Sequence, residues 1–200
     1  TLLQAVNNEF LVASSILGTD YYGFAFETLG LAENTEPSPT YASYADIAGK
    51  WYEDAVETLT RYGALSGGAF SGENAASRAD FTAMLARSLA GQEETGTALP
   101  YADVEAGQWY YEPISHAWNA GWLAESDAFR PQDKITQAEA QEILDAAAAA
   151  YGLSRSWTEA CVAEAMEAQA ASGLELPDGQ VSRGAAASMA AALVEEVYGS

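Results

Sequence analysis

The chain has few thiol and imidazole side chains that could supply a metal, redox or nucleophilic centre. Its 200 residues include one cysteine, Cys161, and one histidine, His116, so an internal disulfide is excluded and a zinc site of thiolate and imidazole ligands is effectively excluded too. Lys and Arg number 8 against 29 Asp and Glu, a formal net charge of −21. A field of that sign repels nucleic acid and anionic membranes. We therefore expect neither as a partner.

Long hydrophobic runs are also missing. No apolar stretch approaches the roughly 20 residues that a membrane-spanning helix needs, so membrane insertion is not expected. The N-terminus shows no basic segment followed by an apolar stretch. Because the chain begins at Thr1, we interpret it as a processed form or an excised piece, and draw no conclusion about secretion. An apolar content of 49% predicts a folded chain with a sizeable core.

What the chain has instead is an internal repeat. Each copy contains an aromatic-x-Asp start, a Trp-Tyr pair, a Gly turn, a Phe, and a box of Ser/Thr-x-x-Asp/Glu. The first copy is Tyr44-Ala45-Asp46, Trp51-Tyr52, Gly63-Ala64-Leu65, Phe70 and Ser77-Arg78-Ala79-Asp80, and the second is Tyr101-Ala102-Asp103, Trp109-Tyr110, Gly121-Trp122-Leu123, Phe129 and Thr136-Gln137-Ala138-Glu139. The offset between copies grows from 57 residues at the Asp to 59 at the box, which indicates duplication with loop changes.

Helical periodicity dominates inside each copy. Residues 51–62 and 109–120 place apolar side chains on one face and stop before Gly63 or Gly121, where a helix C-terminus needs a left-handed residue. A second helix is predicted to begin at each box. No stretch alternates with β-branched residues, so the predicted class is mostly α. Short strand pairings in the loops stay open.

A third, degenerate copy is predicted after residue 152. Gly173 aligns with the turn glycines and Ser182-Arg183-Gly184-Ala185 with the box, but the Tyr-Ala-Asp element is missing and Cys161 falls where a Trp is expected. We therefore predict helix-loop-helix units at residues 41–91, 99–152 and 153–199. Residues 1–40 are predicted to be a short helical segment followed by a linker.

These motifs, in this order, resemble the S-layer homology domain, three units of which usually form one compact module on bacterial surface proteins. The resemblance implies a pseudo-threefold helical module that binds bacterial cell-wall polysaccharide, often a pyruvylated polymer, in grooves between adjacent units. It also implies a secreted protein at the cell surface with no catalytic role, and we expect no cofactor or metal. The glycan-binding residues carried over from the family pattern are Asp46, Trp51, Gly63, Arg78, Asp103, Trp109, Gly121 and Arg183.

Capping explains the Ser/Thr and Asp/Glu of the first two boxes, since the hydroxyl accepts a first-turn N–H and the carboxylate accepts one in return. Capping does not explain Arg78 or Arg183. A cation in the first turn faces the positive end of the helix dipole, which is mildly unfavourable. We interpret Arg78 as a ligand for a carboxylate such as a pyruvyl ketal, with pairing to a neighbouring acid as the alternative. Arg183 is interpreted in the same way.

The other carried-over residues also have structural explanations. Trp51 and Trp109 anchor a core, stack on a sugar, or do both. Asp46 and Asp103 either shape the loop before the helix through an Asx-turn or bind a glycan hydroxyl. The turn glycines need no ligand, because helix C-capping accounts for them.

Two functions remain open at this point. The first is a non-catalytic module that binds wall glycan. The second is a structural or protein-interaction module with the same fold but without glycan binding, whose partners would be other surface-layer proteins. Gln137 at the Arg position of the second box, the degenerate third unit and the charge of −21 favour the second. A hydrolase is not supported, because no nucleophile–base set or pair of carboxylates across a cleft is identifiable.

Overall fold

The computed structural model describes residues 44–89 and 98–199, so the helical segment predicted at 1–40 lies outside it. The described residues form six α-helices and one 3-10 turn at Pro177–Gly179, with isolated β-bridges and no strand. The prediction of a mostly α chain is confirmed. In chain order the helices are α1 (Glu53–Arg61), α2 (Arg78–Leu89), α3 (Tyr111–Asn119), α4 (Gln137–Ala149), α5 (Arg155–Ala171) and α6 (Arg183–Tyr198).

Helices α1 and α3 end where the turn glycines predict. Gly63 and Gly121 have φ values of +75° and +77°, a conformation in which a glycine lacks the Cβ penalty. The N–H of Gly63 bonds to the carbonyl of Thr60, and the N–H of Ala64 bonds to that of Leu59. Both bonds together form a Schellman motif, which satisfies two of the last carbonyls of α1.

The helices pair in a cyclic order. The inner helices α2, α4 and α6 contact one another, and each outer helix packs on the inner helix of the preceding pair. Thus α3 packs on α2, α5 packs on α4, and α1 closes the ring on α6. The consecutive helices α1–α2, α3–α4 and α5–α6 lie within the predicted ranges 41–91, 99–152 and 153–199, respectively. The boundaries of these ranges stay a prediction. Apart from an additional contact of α5 with α6, these helix contacts follow an approximate threefold axis between the inner helices.

Three backbone hydrogen bonds join the loops at that axis. The N–H of Ala76 donates to Val181 at 2.8 Å, the N–H of Val181 donates to Ile135 at 3.0 Å, and the N–H of Ile135 donates to Ala76 at 3.0 Å. All three residues are fully buried, and each directly precedes the N-cap of an inner helix. The triangle therefore gathers the N-termini of α2, α4 and α6 at one end of the module.

The first two inner helices begin with the predicted capping boxes. Ser77 accepts the N–H of Asp80 at 3.0 Å, and the Asp80 carboxylate accepts the N–H of Ser77 at 2.9 Å. Thr136 and Glu139 form the same reciprocal pair in α4. The capping prediction is confirmed in both units.

The third unit satisfies the same backbone group in a different way. Ala185 occupies the place of the box carboxylate, so no acid is available to accept the buried N–H of Ser182. Gln169 on α5 supplies the acceptor instead, with its Oε1 at 2.8 Å from the Ser182 nitrogen. The side-chain amide of Gln169 also donates to the carbonyl of Gln180 at 3.1 Å. A neutral side chain from the neighbouring helix thereby replaces the missing carboxylate.

Candidate functional site

Asp46 fixes the aromatic loop that follows the Gly turn of the first unit. Its carboxylate accepts the N–H of Phe70 at 2.9 Å and the N–H of Ser71 at 2.7 Å. These two bonds, that of Phe70 first, lower the pKa of Asp46. Ser71 has a φ of +55°, which is unfavourable for a residue with a side chain. An Asx-turn is therefore an incomplete explanation, because the carboxylate stabilises a left-handed turn 24 residues further along the chain.

Asp103 does the same in the second unit. It accepts the N–H groups of Phe129 and Arg130, each at 2.7 Å. Arg130 has a φ of +61°, so the strained turn recurs at the equivalent position. Asp46 and Asp103 thus play the same structural role, which is to hold a left-handed turn. Both oxygens of each carboxylate accept a backbone N–H in doing so.

Arg183, at the start of α6, reaches across to the aromatic loop of the first unit. Its Nε donates to the carbonyl of Phe70 at 2.8 Å, and its guanidinium lies 5.1 Å from the centre of the Phe70 ring. Its Nη1 donates to the Asp80 carboxylate at 2.5 Å. Burial opposes ionisation of Asp80, but the capping N–H and the charge of Arg183 outweigh it and lower the pKa of that carboxyl.

Arg78, at the start of α2, makes the equivalent contacts with the second unit. Its Nε donates to the carbonyl of Phe129 at 2.8 Å, its guanidinium lies 4.9 Å from the ring centre, and its Nη1 lies 3.1 Å from the Glu139 carboxylate. Arg130 donates to the same carboxylate at 2.7 Å. The pKa of Glu139 is lowered, because its hydrogen bonds and the two cations outweigh its burial. Pairing with a neighbouring acid, the alternative for Arg78, is what the structure contains.

The two constellations are therefore assembled from neighbouring units: the Arg of one unit contacts the Phe and the box acid of the next, and the Asp of that next unit holds the Phe loop in place. Gln137 occupies the third Arg position, and the loop before it is bridged at Thr136 to Gln180 of the third unit. That unit has neither the Asp nor the Phe for an Arg to meet. Arg78 and Arg183 therefore form two arrangements of the same construction, and Gln137 has no equivalent Asp and Phe partners in the third unit.

The two tryptophans differ in exposure. Trp109 is 49% exposed, and the guanidinium of Arg87 from α2 lies 5.6 Å from its ring centre. Arg87 also donates from Nη2 to the backbone carbonyl of Trp109 at 3.1 Å. Trp51 is partly buried, with its ring edge-on to Tyr52 at 5.2 Å. Sequence reasoning missed Arg87, although an arginine among only 8 cations, outside any motif, was a usable signal.

Tyr52 lies in a slot that two glycines create. A Cβ atom on Gly72 or Gly184 would overlap the Tyr52 ring. The N–H of Gly184 bonds to the carbonyl of Gly72 at 2.8 Å, so the two backbones are in direct contact beside the ring. This slot holds the start of α1 against the start of α6, and with it the partly buried Trp51.

Each turn glycine lies at the far end of an outer helix from the tryptophan of its own unit. Gly63 and Trp51 flank opposite ends of the nine-residue helix α1, about 13 Å of helix at 1.5 Å per residue. Gly121 and Trp109 flank α3 in the same way. The left-handed conformation of both glycines is explained by C-capping.

Other chemistry finds little support in the parts of the chain that the structure describes. No group of three or more His, Cys, Asp and Glu side chains there is placed to hold a metal ion. Burial raises the pKa of the Cys161 thiol to about 12, so the thiolate that reacts or binds metals is disfavoured. Among residues 44–89 and 98–199, no helix is both long and apolar enough to cross a membrane.

Comparison with known proteins gives a family match for the first of the repeated units. Residues 43–82 match the family model of the S-layer homology domain. The chain is 34% identical over 102 residues to endo-1,4-beta-xylanase A of Thermoanaerobacterium saccharolyticum, a match that covers 48% of this chain and 9% of that protein.

Two further relatives show the same relationship. Amylopullulanase of Thermoanaerobacterium thermosulfurigenes is 33% identical over 102 residues, which is 48% of this chain and 5% of the relative. Exoglucanase XynX of Acetivibrio thermocellus is 31% identical over 122 residues, which is 58% of this chain and 11% of the relative. The matched segment is thus a small part of each of these much longer proteins.

Proposed function

We propose that this chain, whose residues 43–82 match the S-layer homology domain, is a non-catalytic module that anchors a bacterial surface protein to the cell wall. Its ligand would be an anionic wall polysaccharide, in the form of a pyruvylated glycan, bound in grooves between adjacent units. Two of the three grooves would bind, those that contain Arg78 and Arg183. The protein that carries the module would be secreted and held at the cell surface.

One observation carries this proposal: the same Arg, Asp, Phe and acid constellation occurs twice between units of a chain with a net charge of −21. A guanidinium has five N–H donors; Arg78 donates one hydrogen bond through Nε to Phe129, and its Nη1 forms an ion pair with Glu139. A ligand carboxylate can use donors that remain or displace Glu139 in part. Carboxylate recognition by a planar guanidinium is bidentate and short, which suits a pyruvyl group.

The carried-over residues then have distinct roles in the proposal. Arg78 and Arg183 would contact the acidic group, and Trp109 and Trp51 would stack on sugar rings. Asp46 and Asp103 would act through the loops they hold rather than through a free carboxylate. Gly63 and Gly121 would contribute by ending the outer helices; a Cβ atom on either would meet no other atom within 4 Å, so the glycines are needed for their backbone conformation and not for space.

Binding to purified cell walls tests the proposal. The chain is sedimented with sacculi that keep their pyruvylated polysaccharide and with sacculi from which that polymer has been extracted. We expect retention on the first and release from the second, with retention weakened in Arg78→Gln, which installs the residue of the third groove. Arg155→Gln is the matched control, because Arg155 is 73% exposed and lies outside both grooves. Wild-type retention of Arg78→Gln would remove Arg78 from the site.

A second candidate is a structural or protein-interaction module without glycan binding, with other surface-layer proteins as partners. It is favoured by the two grooves being internally neutralised, since Arg78 and Arg183 each already pair with a carboxylate. Equal retention on native and extracted sacculi would support this candidate against the first.

A further inference from the structure

Arg87 lies outside the repeated motif and yet contacts one of the proposed site residues. It is an exposed residue of the last turn of α2, and its guanidinium stacks beside Trp109, the most exposed of the large apolar side chains described. The bond from Nη2 to the Trp109 carbonyl fixes it at a second point. The cation and the indole are therefore held together on the flank of the groove between α2 and α3.

No carboxylate neutralises this cation within the described residues. The ion pairs found there involve Lys50, Arg78, Arg130, Arg155 and Arg183, and Arg87 is in none of them. Arg61 and Lys134 are in no ion pair of the described residues either, and Arg87 differs from them in its contact with an exposed indole. Its two contacts with the described residues, to a ring face and to a carbonyl, involve no carboxylate.

The fold itself does not need an arginine here. The equivalent positions on the other inner helices are Ala146 and Ala192, at the same spacing from Gln137 and Arg183 as Arg87 has from Arg78. A cation in the last turn of a helix is favourable, and so is its contact with an indole, but each effect is small at an exposed site. The inner helices of the other two units form with an alanine at this position, and therefore without the cation and without its contact with an indole.

We propose that Arg87 and Trp109 form a subsite that selects an acidic sugar residue, with the open part of the indole against the sugar ring and the guanidinium on its carboxylate. This inference rests on the proposed glycan-binding function and makes the two grooves unequal. The groove with Arg78 has the subsite, whereas in the groove with Arg183 the equivalent pair is Trp51 and Ala192. The α2–α3 groove is then the tighter and more charge-selective of the two.

Calorimetric titration of the full chain tests the subsite, with pyruvylated wall polysaccharide and the same polymer after mild acid removal of pyruvate as the probes. We expect Arg87→Ala to weaken binding of the pyruvylated polymer about 3- to 10-fold, the size of one exposed charge-assisted contact, and to leave binding of the depyruvylated polymer unchanged. Arg87→Lys, which keeps the charge without the planar fork, should lose less than Arg87→Ala.

The reciprocal variant Ala192→Arg gives a second readout that a structural role would not move. It places a guanidinium on the helix that α1 packs against, and we expect the affinity of the weaker groove for the pyruvylated polymer to rise. Wild-type affinity and unchanged preference between the two polymers in Arg87→Ala would overturn the subsite and leave the proposed function standing. Absence of binding by the wild-type chain to either polymer would overturn both.

Discussion

Arg183 is predicted to stabilise the closure of the helix ring, and its truncation is the strongest test of the cyclic arrangement. The residue begins α6 and ties it to the first unit through the Phe70 carbonyl, the Phe70 ring and the Asp80 carboxylate. These partners lie more than 100 residues away in the sequence. Arg183→Ala removes all three contacts and leaves a carboxylate and a carbonyl without their partner.

The magnitude follows from the burial of the pair. Breaking a fully buried ion pair costs about 3–5 kcal/mol, and an exposed pair contributes about 0–1 kcal/mol. Arg183 and Asp80 are 22% and 21% exposed, so the pair lies nearer the buried limit. Adding one bond to a carbonyl and one ring contact, and allowing for overlap between these effects, we expect a loss of about 2–4 kcal/mol in the free energy of unfolding.

Urea unfolding followed by tryptophan fluorescence and far-ultraviolet circular dichroism measures this loss. Arg155→Ala is the matched control, because it removes an arginine paired with two acids, Asp145 and Glu159, but 73% exposed. We expect the control to lose less than about 1 kcal/mol. If the two variants lose the same free energy within about 0.5 kcal/mol, the ring closure through Arg183 is wrong.

Three further predictions concern the same end of the module. Gln169→Leu removes the acceptor for the fully buried N–H of Ser182 and should lower the free energy of unfolding by about 1–3 kcal/mol in urea. Gly184→Ala drives a methyl group into the Tyr52 ring and should lower it by about 1–3 kcal/mol in the same assay. Asp80 has a pKa below the usual 3.8, so the stability that its ionised carboxylate contributes is present above about pH 4 and is lost as the pH falls through its folded-state pKa. The difference in unfolding free energy between wild type and Asp80→Asn should therefore be constant from about pH 7 to 5 and shrink below about pH 4.

Each of these has its own control. Gln132→Leu changes an exposed glutamine and should stay within about 0.5 kcal/mol of wild type, and an equal loss in both glutamine variants would contradict the role of Gln169. The Gly184→Ala loss should fall when Tyr52 is replaced by Val, whereas an unchanged loss would place the strain elsewhere. A difference between wild type and Asp80→Asn that does not change down to pH 2 would contradict the lowered pKa.

The helices and their ends were predictable because their signals are local. The apolar period predicts α1 and α3, and Gly63 and Gly121 end them in a left-handed turn with φ of +75° and +77°. The capping boxes at Ser77 and Thr136 need only residues within one turn. Helices α1 and α3 begin two residues later than predicted, because Trp51-Tyr52 and Trp109-Tyr110 form a turn in which the paired rings lie edge-to-face.

The partners of the site residues were not predictable, because they lie in another unit. Nothing in one repeat indicates that Arg78 meets Phe129 and Glu139 while Arg183 meets the first unit. That pairing follows from the triangle of backbone bonds at the pseudo-threefold axis, which is a long-range contact. In the sequence, Gln137 replaces the Arg of the second box. In the structure, the residue before it is bridged to Gln180, so the missing Arg affects the boundary with the third unit.

The replacement by Gln169 was also hidden from sequence reasoning, although its cause was visible. Ala185 stands where the other boxes have an acid, so the buried N–H of Ser182 needed another acceptor. Which side chain supplies it depends on the packing of α5 against α6, and the sequence alone does not specify that packing. An unexplained loss in a repeated motif is a reason to look for a compensating polar residue on a neighbouring helix.

The central claim is that two grooves of this module bind an acidic glycan. Its most direct test is a calorimetric titration of the wild-type chain with a short pyruvylated saccharide, too small to span two grooves, and with the same saccharide after removal of pyruvate. The account predicts two binding events per chain of unequal affinity, both at least tenfold weaker without the pyruvyl carboxylate. Equal binding of the two saccharides, or no binding of either, would contradict it.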